Sequence, residues 1–189
     1  MSFHHSWIAM KGLDRAACLA ELGLEVRPEP AARSACEAAL AELPDGWLLL
    51  LTRDDAAFKA RFVALSKGRS AVACWEDDRV MHADARGYDD GRQTWRVAHE
   101  PEKGVRHLQI DGDPPQALEA IRAEQAALQD AEGGERAQVD FIFEVPPELA
   151  KSICGFRLGD DGLGLTFSEL RPAREAHRPN LLQRLFGRA

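Results

Sequence analysis

Residues 71–110 read AVACWEDDRVMHADARGYDDGRQTWRVAHEPEKGVRHLQI, and this stretch decides the fold. It contains four runs typical of β-strands, at residues 71–75, 79–85, 94–99 and 105–110. Segments rich in Gly, Pro, Asp or Glu separate the runs and favour turns, at residues 76–78, 87–91 and 101–104. Strands joined by short turns pair with their neighbours in the antiparallel sense. The stretch therefore predicts a four-strand antiparallel meander over about residues 71–110.

The apolar residues of the meander indicate which side chains face inward, because a one-residue slip in register moves every side chain to the other face. If residue 83 opposes 95 and residue 97 opposes 108, the inward face holds Met81, Ala83, Trp95, Val97, Leu108 and Ile110. The outward face then holds His82, Asp84, Thr94, Arg96, His107 and Gln109, with His82 across from Arg96 and Arg96 across from Gln109. His99, at a strand end on the apolar side, is expected to be a hydrogen-bonded structural residue.

Further strands and helices are predicted on both sides of the meander. Strands are expected at residues 6–11, at residues 139–145, and at 47–52, whose nearly continuous apolar run is typical of a central strand covered on both faces. Helices are expected at residues 14–22, 31–43, 58–65 and 118–131, and after Pro146 and Pro147. Helices grouped around a largely antiparallel sheet define the α+β class.

The length of 189 residues fits one globular α+β domain, which we place at residues 1–170. Residues 171–189 form a basic tail that contains Pro172 and Pro179. Leu181, Leu182, Leu185 and Phe186 have helical spacing there, so a short amphipathic segment is expected. Such a segment docks in a partner's groove, docks on the acidic body, associates weakly with an anionic membrane, or is a frayed terminus.

The chain lacks the features of a secreted or membrane-anchored protein. Its longest apolar run is far shorter than the roughly 20 residues that cross a bilayer, and residues 1–7 do not resemble a secretory signal. We therefore expect a cytoplasmic protein without stable membrane anchoring. The segments WIAMKG at residues 7–12 and GVRHL at residues 104–108 resemble parts of small uncharacterised bacterial proteins, and this resemblance implies no activity.

No cofactor or metal is expected. The four cysteines stand far apart without a C-x-x-C pair and are read as reduced core residues. His82-x-Asp84 and Asp111-x-Asp113 resemble fragments of metal motifs, but no further ligands follow at a diagnostic spacing. A nucleophile elbow, a Walker loop and an H-E-x-x-H motif are also missing from the sequence.

The charge distribution favours a basic protein as partner. The net charge is −7, but residues 171–189 hold five Arg and one Glu, which leaves 19 basic and 30 acidic side chains, or −11, on residues 1–170. An acidic body repels nucleic acid. The leading hypothesis is a non-catalytic acidic interaction protein, of the neutralising or immunity type, that masks a basic protein. Its expected partner-binding residues are Glu76, Asp77, Asp78, Asp89 and Asp90.

The alternative hypothesis is a small hydrolase or transferase. Its catalytic residues would be His82, Asp84, Arg96 and His107 on the outward face of the meander. Histidine exchanges protons near neutral pH and arginine binds oxyanions, so these residue types suit acid–base chemistry. The same alternation is also typical of a solvated sheet face without catalytic function.

Overall fold

The computed structural model describes residues 4–27, 37–53, 56–160 and 163–173. The strands are β1 (His4–Lys11), β2 (Leu24–Val26), β3 (Ala38–Leu43), β4 (Trp47–Thr52), β5 (Ser70–Asp77), β6 (His82–Asp89), β7 (Arg92–His99), β8 (Gln109–Gly112) and β9 (Ser168–Pro172). The helices are α1 (Arg15–Leu22), α2 (Ala56–Leu65), α3 (Ala117–Ala131) and α4 (Val145–Cys154). In the described part of the chain, no helix has both the length and the apolar character needed to span a membrane.

The strands form one nine-stranded sheet in the order β2-β9-β3-β4-β1-β5-β6-β7-β8. Every neighbouring pair is antiparallel. With helices packed on this sheet, the predicted α+β class is confirmed. All of β4 is buried, as its apolar sequence predicts, and it pairs with β1 and β3 near the middle of the sheet.

Helices cover both faces of the sheet. Trp7 and Ala9 of β1 face the side of α3 and α4, where they join Leu149 and Phe156 in one apolar cluster. Ile8 and Met10 face the opposite side, in a second cluster with residues of α1 and α2. Because successive side chains of a strand point to opposite faces, a strand between two helical layers is apolar at every position.

Local capping explains two of the helices. Asp14 precedes α1 and its side chain accepts a 3.0 Å hydrogen bond from the backbone N–H of Ala17, while Gly23 ends the helix with φ 64°. Pro146 and Pro147 lie in the first turn of α4, where a missing N–H costs little, and Gly155 ends this helix with φ 78°. Both helices follow the sequence-based prediction.

Two predicted elements are wrong. Within the helix predicted over residues 31–43, Ala38–Leu43 is strand β3, and residues 31–36 lie outside the described residues. The sequence AALAEL favours a helix locally, but pairing with β4 and β9 buries its apolar side chains in the sheet. The strand predicted over residues 139–145 is replaced by a short 3-10 helix, Ile142–Glu144, which leads directly into α4.

The last described strand, β9, extends into the first residues of the predicted tail. Arg171 and Pro172 belong to β9, which pairs with β2, and the Arg171 guanidinium lies 2.8 Å from Glu25 Oε1. Residues 174–189, including the predicted amphipathic segment, lie outside the described residues.

The meander is present, but its predicted register is wrong. Ala83 opposes His99 rather than residue 95, and Val97 opposes Ile110 rather than residue 108. The cause is the turn between β6 and β7, which contains only Asp90 and Gly91, both at positive φ as in a type I′ hairpin. The prediction placed a five-residue turn there, at residues 87–91.

The inward face is confirmed at its centre. Trp95 and Val97 are buried in the cluster that faces α3 and α4, and Ala83, two residues before Ala85 of that cluster, is also buried. The outer predicted positions differ: Met81 lies in the β5–β6 turn with φ 51°, and Ile110 is 39% exposed on β8. A register shift between Gly87 and Tyr88 accompanies the packing of Trp95, whose indole Nε1 would lie 2.0 Å from a Cβ at residue 87.

Candidate functional site

The polar face of the meander lies beside the layer formed by α1 and α2. Asp84 and Arg86 of β6, Arg96 of β7 and Asp111 of β8 occupy this face, because Arg86 pairs with Arg96 and Arg96 pairs with Asp111. The apolar cluster under α1 and α2 takes residues from β1, β3, β4, β5 and β9 but only Tyr88 from β6 to β8. The described helices therefore leave this half of the face uncovered.

Asp84 is the centre of a closed ionic network. Its side chain accepts two hydrogen bonds from Arg86, both 2.8 Å, and one of 2.9 Å from Arg96 Nε. The Arg86 guanidinium also stacks over the Trp75 ring at 4.7 Å. Burial alone would raise the pKa of Asp84, but the hydrogen bonds from Arg86 and Arg96 outweigh it and lower this pKa. Asp84 is therefore an ionised structural carboxylate that is hydrogen-bonded to two guanidinium groups.

His82 and His107 take no part in the described hydrogen bonds of this network and lie near Glu100. His82 begins β6 opposite Asp77, and His107 lies in the loop before β8. The hydrogen bond from Lys103, 2.8 Å from Glu100, is the main cause of a lowered pKa of Glu100, and the nearby imidazoles lower it further. The four residues predicted as catalytic thus divide into an Asp84–Arg96 pair and a group of two histidines around Glu100.

His99 is fully enclosed, with no exposed surface. Its Nδ1 lies 2.7 Å from the carbonyl oxygen of His107, and its Nε2 lies 2.9 Å from Asp140 Oδ2. Asp140 also accepts hydrogen bonds from the backbone N–H groups of Ile142 and Phe143, at 3.0 and 3.2 Å. These contacts confirm the structural role predicted for His99. They also explain why a 3-10 helix begins after Asp140.

The hydrogen-bond partners of His99 determine its protonation. A carbonyl oxygen and a carboxylate are both acceptors, and a neutral imidazole has only one N–H to donate. Burial lowers the pKa of His99, but its bonds with Asp140 and the His107 carbonyl outweigh burial and raise this pKa. The two acceptors and the raised pKa both favour the imidazolium form of His99, paired with Asp140. Sequence reasoning missed Asp140, which lies 41 residues away in a segment predicted as a strand.

Glu76 was predicted from the sequence to be one of the exposed acidic residues that bind a partner, but its side chain is buried. It is 8% exposed and accepts a 3.1 Å hydrogen bond from Trp7 Nε1. Burial raises the pKa of Glu76 to about 7. Arg157 lies close enough to favour its charged form and also pairs with Glu144 at 2.7 Å. The alternation of side chains along β5 places Glu76 on the same face as the buried Cys74.

The remaining predicted partner-binding residues divide between the two ends of β6. Asp77 and Asp78 lie at the turn before His82, where Asp77 binds the Arg79 guanidinium at 2.7 and 2.8 Å. Asp89 and Asp90 lie at the other end, seven residues further along, or roughly 23 Å at about 3.3 Å per residue. Asp89 accepts a hydrogen bond from Ser70 Oγ, and Asp90 accepts one from the backbone N–H of Gly68. The two pairs therefore do not form one patch.

Asp111 and Asp113 extend the second of these pairs. β8 runs antiparallel to β7 and leads towards the β6–β7 turn, with Asp111 opposite Arg96 and Asp113 next to Thr94. Asp89, Asp90, Asp111 and Asp113 are all exposed, and the exposed Arg92 of β7 pairs with Asp89. We call these four aspartates the acidic end. Sequence reasoning read Asp111 and Asp113 as a turn, because only the sheet order shows that β8 lies on the other side of β7 from Asp89 and Asp90.

The described residues contain no group of three or more metal-binding side chains. Cys18, Cys74 and Cys154 are buried, and burial raises the pKa of the Cys18 and Cys154 thiols to about 11 and that of Cys74 well above its usual value. These thiols are protonated at neutral pH and do not act as nucleophiles. In comparisons with known proteins, the chain matches no family model, no curated protein and no solved structure.

Proposed function

We propose that the protein binds a basic protein partner without catalysing a reaction, as a neutralising or immunity-type protein does. The observation that carries the proposal is the acidic end, whose four exposed aspartates lie at the end of β6, in the β6–β7 turn, and on and just after the edge strand β8. The excess of carboxylates over residues 1–170 adds a long-range field of the same sign. Complementary charge accelerates association and selects between partners.

The alternative, a small hydrolase or transferase, has less support. Asp84 is held by Arg86 and Arg96, so its charge is neutralised within the sheet and it is not free to act as a base. Arg96 is engaged in the same network, and His82 and His107 lie near Glu100 instead. This alternative places His82 across from Arg96, but in the described register Arg96 pairs with Arg86.

The test uses two variants with equal changes of charge. In the first, the four aspartates of the acidic end become asparagine, which tolerates the positive φ of residue 90. In the second, Glu119, Glu124, Glu132 and Glu135, which are exposed on and after α3, become glutamine. Partners are captured with the wild-type chain, and association rates of the best basic partner are then measured at several salt concentrations.

We expect the first variant to associate at least tenfold more slowly at low salt and to show a weaker salt dependence, because surface charge acts mainly on the rate of encounter. The α3 variant should stay close to the wild type. Equal rates for both variants, or turnover of a small molecule that is lost in His82→Ala and His107→Ala, would contradict the proposal.

A further inference from the structure

The acidic end includes an edge of the sheet. In the described residues, β8 pairs with β7 alone and is the last strand of the sheet on that side. The backbone N–H of Asp113 donates to the carbonyl of Thr94 at 3.3 Å, which makes these two residues a hydrogen-bonded pair. Hydrogen-bonded pairs alternate along an antiparallel ladder. Gln109, Asp111 and Asp113 therefore direct their backbone groups towards β7, and Ile110 and Gly112 direct theirs away from the sheet.

The side chains at this edge have two distinct chemistries. Ile110 pairs with buried Val97, so it lies on the side of α3 and α4, and it is 39% exposed. Asp111 lies on the opposite face, next to Arg96, and its side chain is 50% exposed. A strand added to β8 would place an apolar side chain beside Ile110 and a basic side chain beside Asp111. Asp113 lies just past the end of β8, where Gly112 has φ 74°, and adds a second exposed carboxylate at this edge.

We propose that this edge receives an extended segment of a protein partner as an additional antiparallel or parallel strand, with basic and apolar residues alternating along the segment. The inference rests on the proposed function and specifies how the basic partner is recognised. Backbone hydrogen bonds to Ile110 and Gly112 supply the pairing, and Asp111 and Asp113 supply the selectivity for basic residues.

A second copy of the chain fits this edge less well than a basic segment. Two copies of β8 paired with each other would bring the aspartates at residues 111 and 113 of each copy close together, and like charges across strands destabilise pairing. Charged and short edge strands of this kind prevent self-association. The same carboxylates attract a segment of opposite charge.

The experiment uses the full chain, labelled with ¹⁵N, and three synthetic peptides of Lys and Val. The first peptide alternates Lys and Val, the second has the same composition in two blocks, and the third is the alternating peptide with every second amide N-methylated. N-methylation removes the donors on one edge of the peptide and keeps its charge. Binding is followed by the amide shifts and hydrogen exchange of Ile110 and Gly112.

We expect the alternating peptide to shift and protect these two amides, and to bind at least tenfold more tightly than the block and N-methylated peptides. Asp111→Asn with Asp113→Asn should weaken the binding of the alternating peptide. Equal binding of methylated and unmethylated peptides would overturn strand addition while leaving the charge-based function standing. Amides of Ile110 and Gly112 that are already protected in the free protein would overturn it too, because the edge would then be covered by the chain itself.

Discussion

His99 and Asp140 form an ionic pair in the interior that joins three segments. The imidazolium donates to Asp140 and to the carbonyl of His107, while Asp140 also holds the start of the 3-10 helix before α4. The pair therefore connects the end of β7, the loop before β8 and the entry to α4. Its strength depends on the proton of His99, since the neutral ring can satisfy only one of its two acceptors.

The raised pKa of His99 makes stability depend on pH. A group whose pKa is higher in the folded than in the unfolded state stabilises the folded protein. This stabilisation is complete at pH values below the unfolded-state pKa, here 6.5, and is lost as the pH rises through the folded-state pKa. We expect the free energy of unfolding, measured by urea denaturation, to fall above pH 6.5. His99→Gln should lower stability and remove this slope, whereas His82→Gln should keep it. A slope unchanged in His99→Gln would contradict the assigned protonation.

Glu76 contributes a second pH window, which lies mostly below that of His99. Its folded pKa of about 7 exceeds the ordinary 4.5, so its contribution is complete below pH 4.5 and is lost as pH rises towards 7. Glu76→Gln keeps an oxygen for Trp7 Nε1 and cannot ionise. We expect this variant to match the wild type near pH 4.5 and to be more stable by about 1–3 kcal/mol at pH 8, from the size of the shift. Thermal or urea unfolding at both pH values tests this, and a less stable variant at pH 8 would refute it.

At the scale of the elements, strands β6 and β7 are joined both by their ladder and by the Asp84 network. Removing one partner of a buried ion pair leaves the other charge uncompensated. Asp84→Asn is expected to lower the free energy of unfolding by about 2–4 kcal/mol, as judged from such pairs. Asp77→Asn, which affects an exposed pair with Arg79, should change it little. Urea denaturation of both variants makes the comparison, and equal effects would show that the network is not structural.

The contact of Trp95 with Gly87 belongs to the same two strands. A Cβ at residue 87 would lie within 2.7 Å of three atoms of the indole ring, so the ring or the hairpin must move. We expect Gly87→Ala to cost about 2–3 kcal/mol through overpacking. Gly155→Ala measures backbone strain without a close contact, because residue 155 has positive φ but no atom within 4 Å of the added Cβ; it should cost about 1–2 kcal/mol. A loss well below about 1 kcal/mol in Gly87→Ala, measured by urea denaturation, would mean that the indole adjusts without strain.

For the molecule as a whole, the position of a strand in the sheet determines its local stability. β1 and β4 are paired on both sides, and their side chains are buried under helical layers, whereas β2 and β8 lie at the edges. Hydrogen exchange should therefore be slowest for amides of β1 and β4 and fastest for those of β2 and β8. Fast exchange in β4 would contradict the described sheet order.

Sequence patterns predicted those features that depend on residues close together in the chain. The caps of α1, the apolar strand β4 and the alternation of the meander were all recoverable in this way. The missed features depend on distant pairing: β3 is a strand because of β4 and β9, and the Asp84 network requires the observed register of β6 and β7. The exposed carboxylates of the acidic end lie on and just after β6 and β8, and only the sheet order places these two strands on either side of β7.

The insertion of β9 between β2 and β3 affects the order of assembly during translation. Hydrogen bonds from Ser168 and Glu169 to β3 cannot form until almost all the described chain has left the ribosome. Until then, the backbone groups along one edge of β3 (Ala38–Leu43) are unpaired and can pair with strands of other nascent chains. A polypeptide that terminates before residue 168 lacks β9, so this edge of β3 stays unpaired. We expect such a polypeptide to aggregate rather than accumulate as a shortened native protein.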